Sequence, residues 1–97
     1  MSQASNAVQR RLAKTLRERK EPHGKLYREK EILRGIEISE AGIAELWIKP
    51  THPYCPCCLS DLIDLRNEIN SIKGILACHI EVVSIPQAIR WTAAINE

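Results

Sequence analysis

Hydrophobic positions recur with a helical period at the start of the chain. Between residues 7 and 19 an apolar side chain returns every fourth position, and basic side chains fill the other faces. The apolar positions are Val8, Leu12 and Leu16. This spacing predicts an amphipathic helix from Ala7 to about Arg19. Pro22 and Gly24 end the pattern, so residues 1–22 are assigned to a basic amphipathic helix.

The next two hydrophobic segments alternate with the period of a β-strand. Residues 32–39 and 43–49 flank a short turn at Glu40–Gly42, which predicts an antiparallel hairpin. In the second strand one face is apolar and the other is mixed. The apolar face consists of Ala44, Leu46 and Ile48, and the mixed face of Ile43, Glu45 and Trp47. Pro50 ends this strand.

A second helical pattern begins near Pro56 and stops at Gly74. Its apolar positions are Leu59, Leu62, Ile63, Ile69 and Ile72. A third strand is predicted from Ile75 to about Ile85, with Cys78 on the same parity as two aliphatic residues, so Cys78 is interpreted as a core residue. The tail is predicted to form a short helix around Ile89, Trp91 and Ile95.

This order of elements predicts the fold class. Helix, strand, strand, helix and strand, followed by the tail, indicate an α+β fold. We expect a small α-β-β-α-β sandwich with a three-stranded mixed sheet and helices packed on one face, the second helix being the crossover. The 97 residues are long enough for one domain. Residues 1–97 are therefore assigned to a single domain, in which residues 32–97 carry the hairpin, the cysteine loop, a helix, a strand and the tail.

Composition and the distribution of apolar residues indicate the compartment in which the protein is expected. The chain is 44% hydrophobic and 27% charged, as in ordinary globular domains. Its N-terminal residues lack the apolar segment of a secretory signal, and no stretch approaches the roughly 18 apolar residues of a membrane span. We therefore expect a cytoplasmic protein without a membrane partner, in which thiols stay reduced. Under those conditions, clustered cysteines indicate a metal site or a redox pair.

Charge is distributed unevenly along the chain. Residues 1–34 hold ten basic and four acidic side chains, a net charge of +6, whereas residues 35–97 have a net charge of −4. The candidate partner-binding residues are Arg10, Arg11, Lys14 and Arg17. Nucleic acid or an acidic partner would suit this helix, and a solvated helix face is the alternative. Aromatic residues are not interleaved with the basic ones except at Tyr27, which disfavours single-stranded nucleic acid.

The stretch THPYCPCCLSDL, residues 51–62, carries the candidate chemistry. Cys55, Cys57 and Cys58 lie within four positions, and His52 precedes them. They fall in a loop that leaves a strand and enters a helix. The positive end of a helix stabilises a thiolate, which makes a cysteine there a better nucleophile and metal ligand.

Four interpretations of this cluster are open. Some of the thiols could simply pack in the core, as at Cys58. Clustered thiolates also suit a soft metal or an iron–sulfur unit. Cys55 and Cys58 have the C-x-x-C spacing of a redox pair, although a thioredoxin-like βαβ start is not visible. A zinc site needs a second ligand pair at a distance, for which the chain offers Cys78, His79 and His23.

Residues 43–95 resemble the PaaD/SufT-type family of the iron–sulfur cluster assembly domain superfamily. That family has a T-x-P-x-C-P loop after a hairpin, then an amphipathic helix, a strand and a W-T tail. Here Thr51 to Pro56 supply the loop, and Trp91 and Thr92 the tail. Cys57 and Cys58 are additional to the single cysteine of that family.

The C-x-x-C spacing is similar to that of a second group, the C-terminal domain of NifU-type scaffolds. In that domain the cysteine pair binds a cluster shared between two chains. Both resemblances imply an accessory protein of iron–sulfur cluster assembly or metal-cluster transfer. The expected cofactor is a transient iron–sulfur cluster or iron, and zinc is an alternative. The expected partners are assembly proteins, apo-clients or a second copy of the chain in a homodimer.

The candidate metal ligands follow from position and resemblance together. Cys55 comes first, followed by Cys58 and Cys57, and His52 is the fourth candidate. The sequence contains no recognisable catalytic acid–base pair or phosphate-binding loop, so we do not expect an enzyme. The competing hypothesis is a non-catalytic protein or nucleic-acid interaction module that uses the basic N-terminal helix.

Overall fold

The computed structural model describes residues 6–97, in which three helices and three strands form a small α+β fold. The helices are α1 (Asn6–Glu18), α2 (Pro56–Asn70) and α3 (Ala88–Ile95). The strands are β1 (Leu33–Ile38), β2 (Ile43–Ile48) and β3 (Ala77–Val82). The predicted fold class is confirmed. The first five residues of the helix assigned to residues 1–22 lie outside the described part of the chain.

The sheet is mixed, in the order β1-β2-β3. β1 pairs antiparallel with β2, so the hairpin forms as predicted, and the register shifts between Leu33 and Gly35, where β1 has one extra residue. β2 and β3 are parallel, with α2 as the crossover between them. The central strand therefore continues directly into the cysteine loop and α2.

One face of the sheet carries the hydrophobic core. On β2 and β3 the inner side chains are at most 3% exposed. They are Ala44, Leu46, Ile48, Cys78, Ile80 and Val82. The helices bury their apolar residues in the same cluster, and the opposite face of the sheet carries half-buried residues such as Trp47 and His79. Cys78 is a core residue, as its strand parity predicted.

α3 covers the outer edge of β3 by hydrogen bonding. The Asn96 side chain accepts a hydrogen bond from the Ile80 N–H at 3.0 Å and donates one to the Ile80 carbonyl at 2.7 Å. The Thr92 hydroxyl accepts the Val82 N–H at 2.9 Å. These side chains replace the missing neighbouring strand. Within α3, Trp91 and Ile95 are buried but Ile89 is exposed.

The segment between α1 and β1 is irregular but firmly attached. α1 ends at Glu18, before the end of the assigned residues 1–22, and Lys20 forms a β-bridge with Leu26. The Tyr27 hydroxyl donates to the Asp61 carboxylate on α2, and Arg19 contacts the same carboxylate at 3.0 Å. Arg19 also pairs with Glu68. The segment is thereby held against the first turns of α2.

Candidate metal centre

Two loops meet at the N-terminus of α2. The first follows β2 and ends at Cys55, the N-cap residue of α2, with Pro56 in the first turn. The second is the turn from Glu21 to Gly24, closed by a 3.0 Å hydrogen bond from the Gly24 N–H to the Glu21 carbonyl. Gly24 adopts a φ of +95°, a left-handed conformation that glycine accepts without steric cost. This turn places His23 against the cysteine loop.

Four side chains converge where the loops meet. They are Glu21, His23, His52 and Cys58, and one ligand atom from each lies within 4.8 Å of all the others. Around a tetrahedral ion with bonds of 2.0–2.3 Å, ligand atoms are about 3.3–3.8 Å apart. A small inward movement of these side chains would reach that spacing. The group could therefore hold a metal ion.

The two histidines form the open side of this group. The ring centroids of His23 and His52 are 3.7 Å apart, with the planes tilted by 32°. Both residues are exposed, whereas Glu21 and Cys58 are buried, at 6% and 4% exposure. A metal ion would thus reach the site from solvent on the histidine side.

A hydrogen-bond chain fixes the orientation of His52. The Thr51 hydroxyl donates to Glu21 Oε2 at 2.9 Å and also lies 2.9 Å from His52 Nδ1. A hydroxyl has one hydrogen, so toward His52 it can only accept. The hydrogen of the neutral ring is therefore on Nδ1, and Nε2 keeps the lone pair that a metal needs. Such outer partners of histidine ligands are common in metal sites.

Glu21 is a buried carboxylate with both oxygens engaged. Oε1 accepts the Lys25 N–H at 3.0 Å and Oε2 accepts the Thr51 hydroxyl. Among residues 6–97, none of the salt bridges involves Glu21. A buried anion without a cationic partner is costly, so a cation bound between the histidines and Cys58 would compensate its charge.

Cys55 lies beside this group and is half-buried. Its pKa is lowered from 9.0 to about 7, chiefly by a hydrogen bond from the His23 imidazole and then by the backbone N–H groups of Cys58 and Cys57. The sulfur makes no capping hydrogen bond of standard geometry. The backbone contribution is therefore the electrostatic effect of the helix N-terminus. The lowered pKa favours the thiolate of Cys55 over that of an ordinary cysteine.

Cys58 behaves in the opposite way. Burial, followed by its contact with Cys55, raises its pKa to about 11. Burial likewise raises the pKa of Cys78, in the core, to about 11. A metal ion would have to displace the proton of the Cys58 thiol, as is usual when a cysteine becomes a ligand. Cys58 is both a packed residue and a member of the group that could hold a metal.

The structure separates the four predicted ligands. His52 and Cys58 belong to the converging group, and Cys55 is adjacent to both Cys58 and His23. Cys57 is exposed and lies outside the group.

The sequence pattern marks the Glu21–Gly24 turn only as a helix breaker, and it offers His23 only as a distant zinc ligand. It does not single out Glu21. The available signal for this part of the site is the sequence Glu21-Pro22-His23-Gly24, in which two possible metal ligands flank a proline just before a glycine.

The residues quoted for the resemblance to the PaaD/SufT-type family hold parts of the fold together. Thr51 links Glu21 to His52, and Pro56 starts α2. Trp91 is buried in the core, and the Thr92 hydroxyl bridges the Ala88 carbonyl and the Val82 N–H. Trp91 and Thr92 lie on α3 and are not members of the converging group.

The basic residues of α1 do not act as a set. Arg11 donates to the Lys73 carbonyl at 3.1 Å, so its guanidinium is partly used within the fold. Arg10, Lys14 and Arg17 are exposed. Arg11 is exposed as well, and the three side chains other than Arg11 are called the basic surface of α1.

Compared with models of protein families, with curated proteins and with solved structures, the chain gives no match. Within residues 6–97, none of the helices has both the length and the apolar character needed to cross a membrane. The function is therefore inferred from the geometry of the site.

Proposed function

We propose that this protein binds a transition-metal ion at the junction of its two loops. The observation that carries the proposal is the convergence of Glu21, His23, His52 and Cys58, which come from two segments far apart in the chain. The burial of the Glu21 carboxyl group, which takes part in none of the salt bridges among residues 6–97, supports a cation there. Imidazole and thiolate together suit Zn²⁺ or Fe²⁺ better than Mg²⁺ or Ca²⁺.

The ligand set we favour consists of two imidazoles and two thiolates. Its members are His23, His52, Cys55 and Cys58. Glu21 is better suited to an outer role, because the Lys25 N–H and the Thr51 hydroxyl already occupy one position on each of its oxygens. Two histidines and two cysteines are a common four-coordinate zinc set. The convergence of Glu21, His23, His52 and Cys58, with one ligand atom of each within 4.8 Å of the others, favours a single ion held by one chain.

We further propose a role as a cytoplasmic accessory protein of iron–sulfur cluster assembly or metal-cluster transfer. Support comes from the resemblance of residues 43–95 to the PaaD/SufT-type family. The exposed histidines favour a site from which an ion can leave, as a carrier needs. Partners would be assembly proteins or apo-clients, and a bridged cluster would require ligands from a second copy.

Metal analysis of the anaerobically purified protein tests the first part of the proposal. We expect about one zinc or iron ion per chain, and loss of most of it in Cys55→Ala. Cys57→Ala is the matched control, because Cys57 is the exposed neighbouring thiol. A metal-free wild-type protein that also takes up no added Zn²⁺ or Fe²⁺ would contradict it.

Reconstitution with iron and sulfide tests the second part. Cluster absorbance that depends on Cys55, together with transfer to an apo-client, would support a role in cluster delivery. Uptake of Fe²⁺ or Zn²⁺ without any cluster absorbance or transfer would restrict the function to binding a single ion.

The exposed basic surface of α1 supports a second candidate, an interaction module for an acidic partner. In the described part of the chain, none of the salt bridges involves Arg10, Lys14 or Arg17. Replacing all three with Gln should then abolish a salt-dependent interaction with an acidic protein while leaving metal content unchanged. Equal binding by the wild type and the triple variant would remove this candidate.

A further inference from the structure

The two sulfurs of the proposed metal site also form a pair that can react without metal. We infer that the metal-free protein exchanges thiols with an external disulfide through Cys55 and Cys58, forming a disulfide between them that cannot hold metal. The thiol–disulfide exchange does not depend on the proposed metal binding. Only the effect of the disulfide on metal binding rests on the proposed function. The activity is that of a dithiol–disulfide exchanger at the N-terminus of α2.

The backbone brings the two cysteines within disulfide distance. The Cys58 N–H donates to the Cys55 carbonyl at 3.1 Å, and the Leu59 N–H approaches the same oxygen at 3.4 Å. Cys55 and Cys58 therefore span one helical turn, in which Cα atoms three residues apart are about 5 Å from each other. Disulfides join Cα atoms that are roughly 4.4–6.8 Å apart. The bond can close with little movement of the backbone.

Cys55 and Cys58 lie in a βαβ unit, the topology in which thioredoxin-like proteins place their C-x-x-C pair. β2 and β3 are parallel and are connected by α2, so the pair opens the helix of a βαβ unit. A thioredoxin-like βαβ start is not visible in the sequence. In the structure the βαβ unit follows the hairpin strand β1. C-x-x-C pairs of thioredoxin-like proteins lie at the same place, where a strand passes into a helix.

The two sulfurs differ in access. Cys55 is half-buried beside the open histidine side, whereas Cys58 is only 4% exposed. An external disulfide R–S–S–R can therefore reach Cys55 first. This difference assigns attack on the substrate to Cys55 and resolution of the intermediate to Cys58.

The exchange proceeds in two balanced steps. The Cys55 thiolate attacks one sulfur of R–S–S–R, a bond forms between Cys55 and that sulfur, and the S–S bond breaks to release R–S⁻. The Cys58 sulfur then attacks Cys55 and expels the second R–S⁻. The two thiol protons of the protein end on the two R–SH products. The dithiol is oxidised by two electrons, and the external disulfide is reduced by the same two.

Oxidised glutathione is the probe for this reaction. The reduced, metal-free full chain is incubated with it, quenched with acid, and analysed by intact-mass and peptide mass spectrometry. We expect a loss of two hydrogens and a peptide linked through Cys55 and Cys58. Cys58→Ser should stop at the mixed disulfide, with one glutathione on Cys55, and Cys57→Ser should react as the wild type does. Glutathione accumulating on Cys57 alone, with Cys55 and Cys58 still reduced, would overturn the inference.

Zn²⁺ binding by the same samples tests the consequence for metal. The oxidised chain should lose stoichiometric Zn²⁺ binding, and dithiothreitol should restore it. Unchanged Zn²⁺ binding by the oxidised chain would overturn the exclusion of metal by the disulfide. If the reduced chain binds Zn²⁺ but no disulfide forms, the exchange fails and the metal function stands. If the disulfide forms but the reduced chain binds no metal, the exchange stands and the metal function fails.

Discussion

His23 and His52 stack with their ring centroids 3.7 Å apart, although they come from different loops. The contact exists because the turn at Glu21–Gly24 is held against α2 by the Tyr27–Asp61 hydrogen bond. The contact brings His23 beside the loop that carries His52 and the cysteines. Each loop alone offers too few ligands for a closed site, and together they offer four or five.

Removing His23 should therefore weaken metal binding as much as removing a cysteine. For His23→Ala we expect a loss of Zn²⁺ affinity that at least equals the roughly 10–100-fold cost of losing an outer partner. Competition with a chromogenic chelator measures the affinity. The matched control is His79→Ala, since His79 lies on the outer face of the sheet near Glu45. Equal affinities for the two variants would exclude His23 as a ligand.

Thr51 should act on the metal through His52. Thr51→Val removes the hydroxyl that joins Glu21 Oε2 to His52 Nδ1, so the ring loses the partner that sets its orientation. We expect Zn²⁺ affinity to fall by roughly 10–100-fold, with the fold retained in circular dichroism. Thr51→Ser keeps the hydroxyl and should bind nearly as well as the wild type. A valine variant that binds Zn²⁺ as tightly as the wild type would show that the hydroxyl does not act on the metal.

Cys55 should show an unusual pH dependence of alkylation in the metal-free protein. Because the thiolate is the reactive form and its pKa is about 7, the rate should rise with pH to a half-maximum near pH 7. His23→Ala removes the hydrogen-bond donor that is the largest cause of the lowered pKa, so the midpoint of Cys55 should move up toward the ordinary value of 9.0. Peptide-resolved iodoacetamide labelling measures both profiles. A midpoint unaffected by the substitution would leave the helix N-terminus as the cause.

The fold was accessible from sequence because its periodicities are clear. Alternation in Ala44, Leu46 and Ile48 matched a central strand, and Gly74 with Pro56 delimited the region of α2 to within a few residues. The parity of Cys78 correctly separated a core thiol from the loop thiols. These are local signals, in which each residue's position follows from its neighbours in the chain.

The site was less accessible because it depends on a long-range contact. Nothing in the local pattern shows that the turn carrying Glu21 and His23 packs against residues 51–58. That packing follows from Arg19 and Tyr27 reaching Asp61, a contact between residues more than 30 positions apart. Cys57 seemed equivalent to its neighbours in the sequence, yet the first turn of α2 directs it away from them. Spacing alone could not choose among three adjacent thiols.

The edge of β3 should depend on Asn96 for its stability. Asn96→Ala leaves the Ile80 N–H and carbonyl, which sit beside a fully buried side chain, without their side-chain partner. We expect a loss of about 1–3 kcal/mol in the free energy of unfolding, the usual cost of an unsatisfied buried polar group. Urea denaturation followed by circular dichroism measures it. Glu97→Ala, at the exposed neighbouring position, should cost less than about 0.5 kcal/mol.

Asn96→Asp refines this test, because a carboxylate can accept the Ile80 N–H but cannot donate to the Ile80 carbonyl. The aspartate variant should therefore be no more stable than Asn96→Ala, because a carboxylate oxygen would replace the Nδ2 donor that lies 2.7 Å from the Ile80 and Thr92 carbonyl oxygens. If Asn96→Ala instead unfolds at the same urea concentration as Glu97→Ala, water must satisfy the Ile80 groups. The edge of β3 would then be open to pairing with another strand, since an edge with solvated backbone groups can accept one.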